Sequence, residues 1–272
     1  MAADILPELA LIPAGEFPMG CDDAEADERP SRTVHLDEFL IAVQPVTQAE
    51  YARFVQETGH RVPAIYELPM VVTAGGHERE RAFRSAGRPY VWSDSAPPAD
   101  RLDHPVTLVR WEDAAAYCAW LSTASGRAVR LPTEAEWEKA ARGGLERKWY
   151  PWGDRLEQDM ANFLIDPSLK AANGTSTCRT YPPNAYGLFD VIGNVWEWVQ
   201  DWYDPSYYRT APERNPPGPG KGHLRLVRGG SWLVADIRML TCSHRHKVPP
   251  DTYTYGIGFR VACDVHGGVS RV

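Results

Sequence analysis

Prolines and glycines are scattered along the entire chain, 23 and 22 of them in 272 residues, and this punctuation limits the fold more than any other feature. Proline removes a backbone donor and fixes φ, and glycine loses the most entropy on entering regular structure. Few long helices are expected. What remains is a loop-rich domain with few helices and an aromatic core, for which ten tryptophans supply the material. The chain has no apolar run of the roughly 18 residues a spanning helix needs, so no membrane partner is expected. A net charge of −7 is poorly suited to neutralising phosphates, so no nucleic-acid partner is expected either. The opening segment has no basic leader and is interrupted by Asp4, Pro7 and Glu8, which does not read as a signal peptide. Five cysteines with no Cys-x-x-Cys pair suggest a cytoplasmic protein with reduced thiols.

Two helices open with the same device. Thr47-Gln-Ala-Glu50 and Thr133-Glu-Ala-Glu136 are capping boxes, each followed by an apolar stripe (Tyr51, Phe54, Val55; Trp137, Ala140, Ala141) and closed by glycine at Gly59 or Gly143. A third helix is predicted from Glu112 to Ser125, where Ala114, Tyr117, Cys118 and Leu121 share a face. Strands are predicted over Val34–Ile41, Leu224–Arg228 and Gly258–Val261. Two long stretches, Arg61–Asp103 and Pro205–Gly222, show little periodicity, and loops of that length are usually functional or insertions. With no repeat and no linker, residues 1–272 read as a single domain of mixed α+β type.

Eight segments then carry a resemblance. They are Ile12–Gly20, Pro45–Tyr51, His104-Pro-Val with Trp111–Cys118, Arg130–Trp137, Tyr150–Asp154, Gly193–Trp198, Arg228–Trp232 and Gly258–Arg260. In this order they resemble the formylglycine-generating enzyme (sulfatase-modifying factor) family over most of the chain, from about residue 10 to 264. The resemblance implies a C-type-lectin-like fold: a small twisted sheet, few helices and much irregular chain. The family includes copper-dependent oxidases that convert a cysteine of a client protein to formylglycine, non-heme iron sulfoxide synthases, and members without known catalysis, so fold alone leaves function open.

The copper oxidases need two cysteines beyond the Gly-Gly-Ser-aromatic turn, because paired thiolates select Cu(I). Here that turn is Gly229-Gly230-Ser231-Trp232, and the first cysteine position holds Val234. The second falls at Met239 without a gap, or at Ser243 beside Cys242 when anchored on Arg245. The Asn common ahead of the Gly-Phe-Arg strand is Gly256. One thiol stands where two are required, so formylglycine generation is not expected. The sulfoxide synthases hold iron on three histidines, drawn largely from an extra N-terminal helical domain, so here the ligands would come from this chain.

His244-Arg-His246 is the one tight histidine pair: at strand spacing both rings share a face, and imidazole suits iron, copper or zinc. Arg245 to Lys247 also reads as a basic run that would bind an anion. His35-Leu-Asp37 has the spacing of half a facial triad but lies in a surface strand, and His223 precedes the strand leading to the Gly-Gly-Ser turn. A serine nucleophile at Ser231 lacks a Gly-x-Ser-x-Gly elbow. The expected cleft is therefore lined by Trp196, Ser231, Trp232, Arg238, Cys242, His244 and His246, with the histidines as ligands for iron or copper.

Calcium is expected elsewhere. Asp190 and Glu197 are two carboxylates around the Gly193-Asn194 turn, a mixture of hard oxygens that suits Ca2+. The resemblance implies side-chain ligands from Asp190 and Glu197, and carbonyls from Gly193 and Val195. A second family site matches at Asn162 and Phe163 but has Lys170–Asn173 where its aspartate would stand. The resemblance also sets Cys118 opposite Val261, with Cys263 two residues on, and free buried thiols are expected there. Two readings follow: a metal- and O2-dependent oxidoreductase acting on a small molecule or peptide, or a non-catalytic module whose long loops bind a protein or ligand.

Overall fold

The computed structural model describes residues 5–68, 73–164 and 174–268. The two capping boxes close as expected. Thr47 starts α1 (Gln48–Thr58) and Thr133 starts the fourth helix, α4 (Glu134–Arg142), each accepting from the N3 amide while the N3 glutamate reaches back. Gly59 and Gly143 end them in the left-handed conformation. The intervening helices are α2 (Gly76–Gly87) and α3 (Trp111–Ser125). Among the described residues no helix is long and apolar enough to cross a membrane.

Strands β1 (Leu9–Ile12), β4 (Phe39–Ala42), β5 (Arg127–Arg130) and β10 (Ala262–Gly268) form one antiparallel sheet in the order β1-β4-β10-β5. The strands β2 (Gly15–Met19) and β3 (Arg32–Leu36) pair as a separate ribbon. A second four-stranded sheet, built from β6 (Trp196–Trp202), β7 (Arg225–Arg228), β8 (His246–Val248) and β9 (Ile257–Phe259), has the order β8-β7-β6-β9, with β6 and β9 parallel. Between these layers the core is aromatic: Tyr51 stacks on Tyr117 at 5.8 Å, and Tyr117 meets Phe259 edge-on at 5.4 Å.

Three expectations need correction. The strand foreseen over Val34–Ile41 is two strands, because Asp37 and Glu38 form an exposed corner where Asn215 binds both the Asp37 amide and its carboxylate. The stretch Arg61–Asp103 contains α2, whose Phe83 packs on Tyr255 at 5.2 Å. Its sequence, Gly-His-Glu-Arg-Glu-Arg-Ala-Phe-Arg-Ser-Ala-Gly, offers too few apolar positions to register as a stripe. Pro205–Gly222 carries a one-turn helix, α5 (Tyr207–Thr210), that buries Tyr208.

Candidate functional site

The segment from Arg228 to His246 is anchored from behind by buried ion pairs. Arg228 Nη1 donates to Glu134 Oε1 and its Nη2 to Glu138 Oε2, both at 2.7 Å. Arg245 donates from Nε to Glu134 Oε1 at 2.7 Å and from Nη2 to Glu134 Oε2 at 3.0 Å. All four side chains are at most 1% exposed, so none is screened by solvent. The capping box thus does more than begin α4: it aims Glu134 and Glu138 at the two arginines. Arg245 is consumed here, and Lys247 pairs with Asp27 at 2.7 Å. The basic run read as an anion site is therefore already neutralised by the protein's own carboxylates.

With Arg245 pointing inward, its neighbours project the other way. His246 stacks on Trp196 at 4.8 Å and 22°, His244 lies 5.9 Å from the same indole, and the imidazole centroids are 6.2 Å apart. A third group, missed in the sequence, joins them. Glu28, on the 3-10 turn Ala26–Glu28, is 1% exposed, and its Oε1 stands 3.6 Å from His244 Nδ1. Glu28 Oε2 and both ring nitrogens of His244 are buried without a hydrogen-bond partner, an arrangement that costs energy unless something fills it. Burial, helped by His244 and Lys247, pushes the His246 imidazole down to about 4, which keeps it neutral. Glu28 escaped notice because Asp22-Asp23-Ala-Glu-Ala-Asp-Glu28 reads as a solvated acidic loop. Among the described residues no three His, Cys, Asp or Glu side chains already meet around one point; the donors are gathered, with the rings nearly parallel rather than convergent.

The rest of the expected cleft is dispersed. Trp232 belongs to another aromatic cluster with Tyr90 and Tyr253, and its indole N–H donates to the Tyr255 carbonyl at 3.2 Å. Ser231 is fully buried, and its hydroxyl accepts from the Leu233 amide. Arg238 points into solvent, paired with Asp236 two residues back. Cys242 lies in the main core, where burial pushes its thiol up to about 12, so it does not line a cleft with the histidines. All five cysteines are free thiols, Cys118 and Cys263 among them. His35 is loosely associated with Asp37 at 4.0 Å, and His223 is exposed ahead of β7.

At the expected calcium block, Asp190 and Asn194 both take left-handed conformations with Gly193, giving the tight turn that was foreseen. Glu197, however, faces inward: Oε2 accepts from Trp137 Nε1 and Arg260 Nε, and Oε1 from Arg260 Nη2, all at 2.7 Å. Asp190 accepts from the Arg179 amide and from Asn194, and burial pushes its carboxyl up to about 6. A calcium ion would find Asp190 and the Gly193 and Val195 carbonyls here, but would take Glu197 only by displacing Arg260. The donors fit that ion in part. Of the second calcium site, Asn162 is held by its amide to the Gly174 carbonyl at 3.0 Å; Lys170–Asn173 lies outside the described residues.

Comparison with known proteins bears on this geometry. The family model for a sulfatase-modifying factor enzyme 1-like domain matches residues 2–265. The formylglycine-generating enzyme of Streptomyces coelicolor is 38% identical over 285 residues, covering 93% of this chain and 88% of that protein. A protein named serine/threonine-protein kinase pkn1 from Chlamydia pneumoniae is 36% identical over 96% of this chain, which spans only 39% of its length. Among solved structures, PvdO from Pseudomonas aeruginosa superposes with a TM-score of 0.77 at 26% identity, covering 97% of each chain. The sheets, the few helices and the irregular connections are those of the C-type-lectin-like fold.

Proposed function

The chain belongs to the sulfatase-modifying factor enzyme 1-like family, that of the formylglycine-generating enzymes, and on that premise we propose that it is an iron-dependent oxidoreductase acting on a small molecule or peptide. One observation carries the reading: His244 and His246 lie against Trp196, Glu28 stands 3.6 Å from His244, and three buried polar atoms of Glu28 and His244 lack partners. Two imidazoles and one carboxylate suit iron(II) better than copper(I), which favours thiolates. Glu28, His244 and His246 would hold the iron, which would supply redox chemistry with O2 when bound. This chain's own residues would orient the donors. Trp196 supports both rings and excludes water beneath them, and the Arg245–Glu134 pair fixes the backbone so that the two histidines share a face. Formylglycine formation by a thiol pair is not part of the proposal, since Cys242 is a lone buried thiol. The free cysteines suit a reducing compartment such as the cytoplasm.

The test is anaerobic reconstitution with Fe(II), Cu(I) and Ca2+ separately, followed by measurement of bound metal and of O2 uptake. Near-stoichiometric iron is expected in the wild type and is expected to be lost in His244→Ala/His246→Ala and in Glu28→Gln. Wild type that retains no transition metal, or variants that retain it unchanged, would overturn the reading. Calcium retention alone would favour the second reading, a binding module, which also has an open cleft at the other end of β6 in its support.

A further inference from the structure

The buried arginines of this protein follow one rule with one exception. Arg142, Arg228, Arg245 and Arg260 each face a carboxylate at 2.7 Å. Arg225 is equally hidden, at 8% exposure, yet forms no ion pair among the described residues. Its guanidinium is clamped between two indoles, 3.6 Å from the Trp111 ring centroid and 3.5 Å from that of Trp202. Such stacking satisfies the faces of the cation but not its N–H groups, which lie in the plane and need acceptors there. Nη1 has one, the Gln200 carbonyl. Nε is buried without any, and the Nη1 bond is the one side-chain hydrogen bond Arg225 makes to the described residues. The nearest acid, Asp201, accepts instead from the Glu134 amide at 2.8 Å and packs beneath Gly218.

The same guanidinium forms part of the wall of an open cleft of about 570 Å3, which also includes Trp111, Ala119, Trp202, Pro217 and Pro219. Its position is held by Gly218, whose amide donates to the Tyr207 hydroxyl at 3.0 Å. At that residue φ is +81°, and an added Cβ would stand 2.4 Å from Asp201 Oδ1, so only glycine lets the Pro217–Gly220 loop lie this close. The second cation on the cleft wall, Arg130, is already bound to Glu136 at 2.6 Å and to Asp264 at 2.8 Å. The cleft therefore offers one uncompensated positive charge beside a mainly apolar surface, within the size range of small-molecule sites.

We propose that this cleft binds a small organic monocarboxylate: its carboxylate accepts from Nη2 of Arg225, and its apolar body lies against Trp111, Pro217 and Pro219. One free guanidinium matches one carboxylate, whereas a phosphate would call for more positive charge than the cleft leaves free. The site is separate from the Glu28–His244–His246 cluster and stands or falls independently of the metal reading.

The indole N–H resonances of Trp111 and Trp202 in the full-length 15N-labelled protein give a direct readout. Titration with 3-phenylpropanoate is expected to shift both saturably, and the neutral 3-phenylpropanamide should bind at least tenfold more weakly. Arg225→Gln should weaken the carboxylate at least tenfold while leaving the amide nearly unchanged. Because that variant risks misfolding, Ala119→Trp serves as a second test: Ala119 is exposed on the cleft rim, and a tryptophan there should abolish binding of both probes. The proposal is overturned if no saturable shift occurs, if acid and amide bind equally, if folded Arg225→Gln keeps full affinity, if Ala119→Trp binds as wild type does, or if equimolar inorganic phosphate displaces the carboxylate.

Discussion

Replacing Glu134 by glutamine changes no volume and removes one negative charge from the deepest ionic network in the molecule. In the wild type that carboxylate accepts from Arg228 Nη1, from Arg245 Nε and Nη2, and from the Tyr208 hydroxyl at 3.2 Å. After the substitution Arg228 still has Glu138. Arg245 does not: it keeps the Asp27 carbonyl at 2.7 Å, the Asp204 carbonyl at 3.5 Å and the Tyr208 ring at 4.2 Å, none of which carries a formal charge. Breaking one side of a buried pair costs about 3–5 kcal/mol, because the stranded cation has neither countercharge nor water. The glutamine oxygen still accepts one hydrogen bond, which favours the lower end. For a domain of this size about 1 kcal/mol corresponds to roughly 2–4 °C in Tm, so a fall of roughly 10 °C is expected. Urea unfolding at pH 7 should show a lower midpoint with an unchanged slope. Asp201, which burial and the neighbouring Glu134 charge push upward, should move back toward the ordinary carboxylate range in this variant. Adding Arg245→Met to Glu134→Gln should recover part of the loss, since no orphaned charge then remains at that position. A loss below about 1 kcal/mol, or a double variant worse than the sum of the singles, would mean that the network does not anchor the histidine segment as described.

Two other outcomes follow from the same kind of reading. Asp113 is held down to about 2, against the cost of its burial, by His60, Arg61 and the Arg110 amide. A depressed folded-state value means its stabilisation is complete above the unfolded value of 3.8 and is lost as pH falls through about 2. That difference is worth about 2 kcal/mol at neutral pH, so Asp113→Asn should flatten the acid limb of a stability-against-pH curve; an unchanged limb would refute the pairing. Cys21 is the only half-buried thiol among five, so peptide mapping after brief native alkylation should find it modified well before Cys242. Equal rates would place Cys242 at the surface.

The helices were legible wherever a cap and a stripe coincided. Thr47, Thr133, Gly59 and Gly143 mark ends that the structure reproduces, because capping is local chemistry that needs no tertiary partner. Strand bounds were less visible: Val34–Ile41 alternates only in part and reads as one strand, and only Asn215, distant in sequence, turns Asp37 and Glu38 into a corner. Helix α2 was hidden because one buried aromatic, Phe83, anchors it from a partner, Tyr255, more than a hundred residues away. At the candidate site the histidine pair and Trp196 could be foreseen from spacing and from the family blocks, whereas Glu28 could not. Burial distinguishes a ligand-like carboxylate from a solvated one, and nothing local distinguished Glu28 from Asp22 or Asp23. The inward turn of Glu197 escaped for the same reason: its partners Trp137 and Arg260 come from other blocks.

The order of the first sheet has a consequence for how the chain is made. Strand β10 lies between β4 and β5, pairing Ala262 with both Ile41 and Arg130, yet it is synthesised after both. While the ribosome is still extending the chain, β4 and β5 each have an edge without its final neighbour, and exposed edges invite pairing with other chains. The sheet can close only after residue 262 has emerged. Nascent chains stalled before that point should be the aggregation-prone species, and a helper protein that shields a sheet edge would be needed most during translation rather than afterwards.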